Sequence, residues 1–170
     1  MSVQFAPPPP SLVLKPEEFA DCERIEALLD RAFGPGRFVK SSERVREIAQ
    51  FAPELSFCAL DGETLLGTVR MWRVRVGGQA VTFLGPLAVD SDQRSAGVGG
   101  QLVQRACDAA RTAGEAWVVL VGDAAYFERF GFAAAAAAAV RMPGPVDQKR
   151  VLALRLDTGA PALAGEFSAL

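Results

Sequence analysis

A chain of 170 residues, half of them apolar and 22% charged, can bury a substantial core and is too apolar to stay disordered. Its formal net charge of −2 gives no support to a nucleic-acid binder or to a protein drawn to anionic membranes. The absence of histidine removes His-based triads and every His-containing metal site, and no metal is expected.

Residues 1–11 contain four consecutive prolines, Pro7 to Pro10, and read as a flexible Pro-rich leader. The stretch lacks a charged n-region followed by an apolar h-region, so it is not a signal peptide. No apolar run approaches the roughly 20 residues needed to span a bilayer. Three scattered cysteines, Cys22, Cys58 and Cys107, show no CxxC spacing and fit a reducing compartment. A cytoplasmic protein is expected. Residues 12–170 read as a single domain, with no internal repeat and no break in composition.

Leu12 to Leu14 predicts a short first strand. Pro16 suits the first turn of a helix, and Glu17 and Glu18 suit its dipole. Phe19, Cys22, Ile25, Leu28, Leu29, Ala32 and Phe33 recur at helical spacing, and Gly34 stops the run. A second helix is predicted after Ser41 or Ser42, with Val45, Ile48 and Ala49 on its buried side. The period then changes. Residues 56–60, a turn at Asp61-Gly62 and residues 65–76 predict a hairpin; Gly77-Gly78 turns the chain into a further strand over 79–89.

After a glycine-rich loop comes an amphipathic helix. Val98, Leu102, Ala106 and Ala110 form its apolar stripe, Gln101, Gln104, Arg105, Asp108 and Arg111 the opposite one, and Gly114 ends it. Cys107 lies near the boundary of the two faces and reads as structural. The apolar run over 117–121 is too short for a helix and predicts a buried strand. A short helix over 124–130 and closing strands over 140–142 and 151–156 complete the pattern. Seven alanines at 133–139 favour a helix by propensity, but their place after Gly131-Phe132 is that of a strand.

Chemistry concentrates where the strand ending at Val89 leads through Arg94-Ser95-Ala96-Gly97-Val98-Gly99-Gly100 into a helix. Glycines let the backbone approach a ligand closely, and the free amides of a helix's first turn bind phosphate oxygens. A glycine-rich turn with no ligand is the plain alternative. A Walker loop lacks its Lys and Ser/Thr here, and a Rossmann fingerprint lacks its third glycine.

Three ordered motifs resemble the GNAT superfamily of N-acetyltransferases. Arg94, Gly97 and Gly99 match its Gln/Arg-x-x-Gly-x-Gly/Ala signature. Leu84-Gly85-Pro86-Leu87-Ala88-Val89-Asp90 resembles the strand before it. Val119-Leu120-Val121-Gly122-Asp123 with Tyr126-Phe127-Glu128-Arg129-Phe130-Gly131-Phe132 looks like its fifth strand and fourth helix. The resemblance implies an α/β (α+β) fold with a mixed, mostly antiparallel central sheet and helices on both faces. It implies transfer of an acetyl group from acetyl-CoA to an amine of a small molecule or peptide.

By the same resemblance, the pantetheine arm of acetyl-CoA would lie where two strands splay, against backbone groups of Leu87, Ala88 and Val89. Its pyrophosphate would rest on the amides of Arg94, Ser95, Ala96, Gly97, Val98, Gly99 and Gly100. Amides near Val89 would polarise the thioester carbonyl. The family's acid, a tyrosine that protonates the departing thiolate, aligns with Phe127, which would instead border the cofactor. The only tyrosine is its neighbour Tyr126. One step along a helix turns a side chain by about 100°, so Tyr126 stands both as catalytic candidate and as a core aromatic with a tethered hydroxyl. Glu43, Glu54 and Asp61 are base candidates or solvated surface charges. Arg70, Arg73 and Arg75 either face an acidic acceptor or snorkel to solvent, and Trp72 either lines a pocket or packs. Many family members pair as homodimers. An acyl-CoA-binding sensor without turnover is the alternative function.

Overall fold

The computed structural model describes residues 11–92 and 97–170. The expected leader therefore lies outside the described residues except for Ser11, as do Arg94, Ser95 and Ala96. Nine strands form one sheet: β1 (Leu12–Pro16), β2 (Gln50–Phe51), β3 (Phe57–Asp61), β4 (Thr64–Val76), β5 (Gln79–Val89), β6 (Trp117–Val121), β7 (Val140–Arg141), β8 (Val151–Arg155) and β9 (Gly165–Ser168). The main path runs β1-β3-β4-β5-β6-β8, with β2 and β9 also paired to β4 and β7 to β9. All pairs are antiparallel except β5–β6 and β7–β9. The mixed, mostly antiparallel sheet expected from the sequence is present.

Period-2 alternation assigns the strands' side chains to two faces. Val69, Met71, Leu84, Val118 and Leu120 pack beneath α3 (Val98–Thr112), whose Val98, Leu102, Ala106 and Ala110 are buried as its stripe requires. Cys107 is buried with them, and desolvation pushes its thiol up to about 12, which keeps it inert. On the other face Ile25, Leu28 and Leu29 of α1 (Cys22–Phe33) meet Cys58 and Ala88. Val45 of α2 (Ser41–Ile48) joins Val74, Phe83 and Val119 on that side. Helices thus cover both faces. The last described strand seals one end: Phe167 of β9 packs edge-on against Phe83 at 5.8 Å.

Several expectations need correction. Pro16 closes β1 instead of opening a helix; on an edge strand its missing donor costs no ladder bond. Phe19 is 94% exposed, because residues 19–21 form a tighter 3₁₀ turn that breaks the helical phase before α1. Ile48 is exposed: in the short α2 the inward face belongs to Ser41 and Val45, and Arg46 is tucked in beside them. The alanine run takes parts of both expected conformations. Ala133 bridges Ala153 with two 3.1 Å hydrogen bonds, and Ala135–Ala137 is a 3₁₀ turn. The pairings of β2 and β9 were not anticipated.

Candidate functional site

Strand β5 starts beside β6 and then leaves it. Only Thr82 and Phe83 pair with β6, opposite Val118 and Val119. Beyond them a bulge sets one residue of β4, Arg70, against two of β5, Gly85 and Pro86. Bulges bend a strand, and Pro86 has no amide with which to continue a ladder toward β6. The carbonyl of Gly85 is taken by the indole N–H of Trp72 at 2.6 Å. Trp72 packs at a tilt of 53° on Phe51, ring centroids 5.0 Å apart, so it braces the bulge from behind.

Past the bulge the register determines where the backbone points. The amide of Asp90 donates to Leu66 on β4 (2.7 Å), and Ala88 stands opposite Thr68. In an antiparallel pair such bonded positions alternate with outward-facing ones. Ala88 is therefore turned toward β4, while the amides of Leu87 and Val89 point into the gap beside β6. Of the three expected backbone contacts, two face the gap.

The first turn of α3 adjoins Val89. Gly97, at φ 77°, caps the helix in a conformation that favours glycine. Gly99 allows a close approach, since a Cβ there would meet the Tyr126 hydroxyl at 3.2 Å; one on Gly100 would make an ordinary 3.5 Å contact with the ring of Phe130. Those rings come from α4 (Ala124–Phe127) and the 3₁₀ turn Glu128–Phe130 that continues it, started by Asp123, which accepts from the amide of Ala125 at 3.1 Å. Phe127 is buried on Gly122, where a Cβ would stand 2.5 Å from the ring. Tyr126 is half-buried, edge-on to Phe127 at 4.9 Å, with the Arg129 guanidinium 4.6 Å from its ring centroid. Its hydroxyl has no hydrogen-bond partner among the described residues. Burial pushes the phenol above its ordinary range, and Arg129 offsets this in part.

The gap opens into a cavity of about 710 Å³. One wall is β5, β6 and α4, including Leu87, Gly122, Tyr126 and Phe127; the facing wall holds Arg37, Ser41 and Arg46, with Pro145 and Arg150 beside them. The facing wall is bolted across the sequence. The Ser41 hydroxyl donates to the carbonyl of Pro145, and Arg44 donates to that of Pro143 at 3.1 Å. Ion pairs stiffen it from behind. Arg70 bonds Glu17 at 2.9 Å and Glu26 at 2.9 Å, and Arg37 bonds Glu26 at 2.6 Å and Asp30 at 3.1 Å. Although burial opposes their charge, these carboxylates hold Arg37 and Arg70 above the ordinary guanidinium range.

Of the residues singled out in the sequence, Leu87, Tyr126 and Phe127 line the cavity. Val89, Gly97, Val98, Gly99 and Gly100 are not among its lining residues, though Gly99 adjoins both Val89 and Tyr126, and Ala88 packs against α1. Two of the strand arginines are spent on ion pairs, and the third makes an exposed bond to a turn. Arg70 is locked to Glu17 and Glu26, Arg73 to Glu54 and Glu115, and Arg75 bonds the carbonyl of Gly78. Two base candidates are committed as well: Arg46 holds Glu43 and Arg73 holds Glu54, while Asp61 accepts from the Ser11 hydroxyl. Sequence reasoning missed the facing wall, because polar residues on a short helix and a Pro-rich connection carry no local mark of a pocket.

Residues 22–132 match the sequence model described as the acetyltransferase (GNAT) family. The chain is similar to the uncharacterised N-acetyltransferase YhbS of Escherichia coli K12, at 35% identity over 128 residues, 74% of this chain and 75% of the relative. The crystal structure of Escherichia coli YhbS in complex with CoA aligns at TM-score 0.76 and 28% identity, covering 98% of this chain and 94% of that one. A GNAT family acetyltransferase from Brucella melitensis, in complex with acetyl-CoA, shares the fold at TM-score 0.68 and 24% identity, covering 94% and 96%.

Proposed function

This chain belongs to the GNAT acetyltransferase family, and on that ground we propose that it moves an acetyl group from acetyl-CoA to an amine by direct attack on the thioester. The observation that carries this reading is the divergence of β5 from β6, which leaves the Leu87 amide aimed into the cavity and the Val89 amide outward beside the first turn of α3. An extended pantetheine arm requires such a pair of unspent strand donors. The first-turn amides of Val98, Gly99 and Gly100 have no partner within their helix and suit the pyrophosphate.

The roles divide among the chain's own groups. The Leu87 amide, at the end of the gap away from α3, stabilises the negative charge that develops on the thioester oxygen, and the Val89 amide pairs with the pantetheine arm. Tyr126, kept protonated by its burial, gives its proton to the departing sulfur. Phe127 borders the cofactor as an apolar wall. With Glu43 and Glu54 held by arginines, the amine arrives neutral by its own titration. The rate should therefore rise with pH along the acceptor's own pKa.

Calorimetric titration with acetyl-CoA, CoA and ATP tests the site. Binding of both CoA forms and none of ATP is expected; failure of both CoA forms to bind would end this reading. Thiol release with a panel of amines then separates a transferase from an acyl-CoA sensor.

A further inference from the structure

Resting on that transferase reading, we propose that the acceptor is an amine that also carries an oxyanion, a carboxylate or a phosphate, and that Arg46 holds it. Four cationic side chains line the cavity, Arg37, Lys40, Arg46 and Arg150, against two carboxylates, Asp123 and Asp147. Both carboxylates are spent on backbone: Asp123 accepts from the amide of Ala125 and Asp147 from that of Lys149, each at 3.1 Å. Arg37 and Arg46 are paired from behind with Glu26, Asp30 and Glu43, so the cavity is offered guanidinium donors and not uncompensated charge.

Arg46 carries such a donor at the strand bulge. Its side chain is only 11% exposed. Its Nε and Nη2 both bond one oxygen of Glu43, at 3.1 and 2.7 Å, which leaves Nη1 with no partner among the described residues. That nitrogen is the atom nearest to a Cβ built on Gly85, at 3.4 Å, so it sits at the bulge where β5 leaves β6. Burial, together with the positive charges of Arg37 and Arg70, pulls this guanidinium below its ordinary range, whereas Arg37, Arg70 and Arg73 stand above theirs. A buried guanidinium with one unpartnered nitrogen beside a cavity can donate a charge-assisted hydrogen bond to an oxyanion there.

The donor's phosphates do not satisfy it. From Gly85 to Val89 the strand advances roughly 13 Å, so Arg46 lies at the far end of the gap from the first turn of α3. An oxyanion on Arg46 sets its amine beside the Leu87 end of β5, where the thioester carbonyl is proposed. The reaction balances without another reactant: the amine nitrogen bonds the acetyl carbon, the carbon–sulfur bond breaks, the thiolate takes a proton from Tyr126, and the amine's proton leaves to solvent, which reprotonates the Tyr126 phenolate.

The test uses matched probes on the full chain. Thiol release is compared for alanine, phenylalanine and glutamate against their α-carboxamides, and for phosphoethanolamine against ethanolamine. In parallel, the CoA-loaded protein is titrated with the N-acetyl forms of each pair, which needs no turnover. The oxyanion member of at least one set should win by about ten- to a hundred-fold, the scale of a hydrogen bond to a charged group. Arg46→Gln should erase that preference, Arg46→Lys should restore part of it, and CoA affinity should stay within about two-fold. A carboxylate or a phosphate winner identifies which oxyanion is used. Preference in the titrations without thiol release keeps the oxyanion site and sinks the transfer reaction. Equal treatment of neutral and anionic members by the wild-type protein, or a preference that survives Arg46→Gln, overturns the proposal.

Discussion

On the β5 side of the cavity, position is set by backbone and shape: a proline that cannot donate, two outward amides, and a glycine, Gly99, that admits Tyr126 to the foot of α3. On the α2 side it is set by charge, with Arg37, Arg46 and Arg70 each held by carboxylates on other turns or other elements. The contrast shows where each wall is fragile. Main-chain donors survive most side-chain replacements, whereas deleting one member of a buried ion pair strands the other.

The largest expected effect comes from the charged side. Arg70→Met leaves Glu17, 5% exposed, without its partner and should cost about 3–5 kcal/mol in urea unfolding. The double variant Glu17→Gln, Arg70→Met should recover most of that loss; equal losses in both would mean packing, not charge, supports this wall. On the strand side, Tyr126→Phe should lower kcat about a hundred-fold with acetyl-CoA affinity unchanged, because only a proton donor is removed. Calorimetry beside steady-state thiol release checks it, and a parallel loss of affinity would assign Tyr126 to binding alone.

A smaller effect concerns the root of α1. Burial alone would raise the Asp21 carboxyl, but the Glu18 amide, Arg24 and Lys15 outweigh it and hold it at about 2, against an ordinary 3.8. The folded value is the depressed one, so this stability is present above the ordinary value and lost as pH falls from there through about 2. It amounts to about 2 kcal/mol, and Asp21→Asn should flatten that part of an acid-unfolding curve. Smallest is Ser41→Ala, which removes the bolt to Pro145 for about 1 kcal/mol. It should raise the acceptor's KM and leave that of acetyl-CoA alone; if both rise together, the two walls are not independent.

The same contrast decides what could be read in advance. Strands β5 and β6 and helix α3 were legible because alternation, a short apolar run and an i, i+4 stripe are local signals. The glycine-rich turn and the Tyr126–Phe127 pair were legible as motifs. Arg70 could not be placed, since its partners Glu17 and Glu26 lie 53 and 44 residues away and no period links them. Arg46 stood on a helix whose apolar residues suggested a different inward face, with Ile48 in the place the guanidinium takes. The strand wall follows from short-range pattern. The facing wall emerges only when distant charges meet.

The contacts that close the cavity have a further property. Ser41 and Arg44 grip the Pro143–Pro145 segment through its carbonyl oxygens, and not through any side chain of it. Carbonyls are present whatever residues the segment carries. Positions 143 and 145 can therefore exchange side chains while the latch stays shut, but Gly144 cannot, since a Cβ there would stand 2.7 Å from Arg44 Nη1 and 2.9 Å from Ser41 Oγ: acceptor preference is free to drift on either side of one fixed glycine.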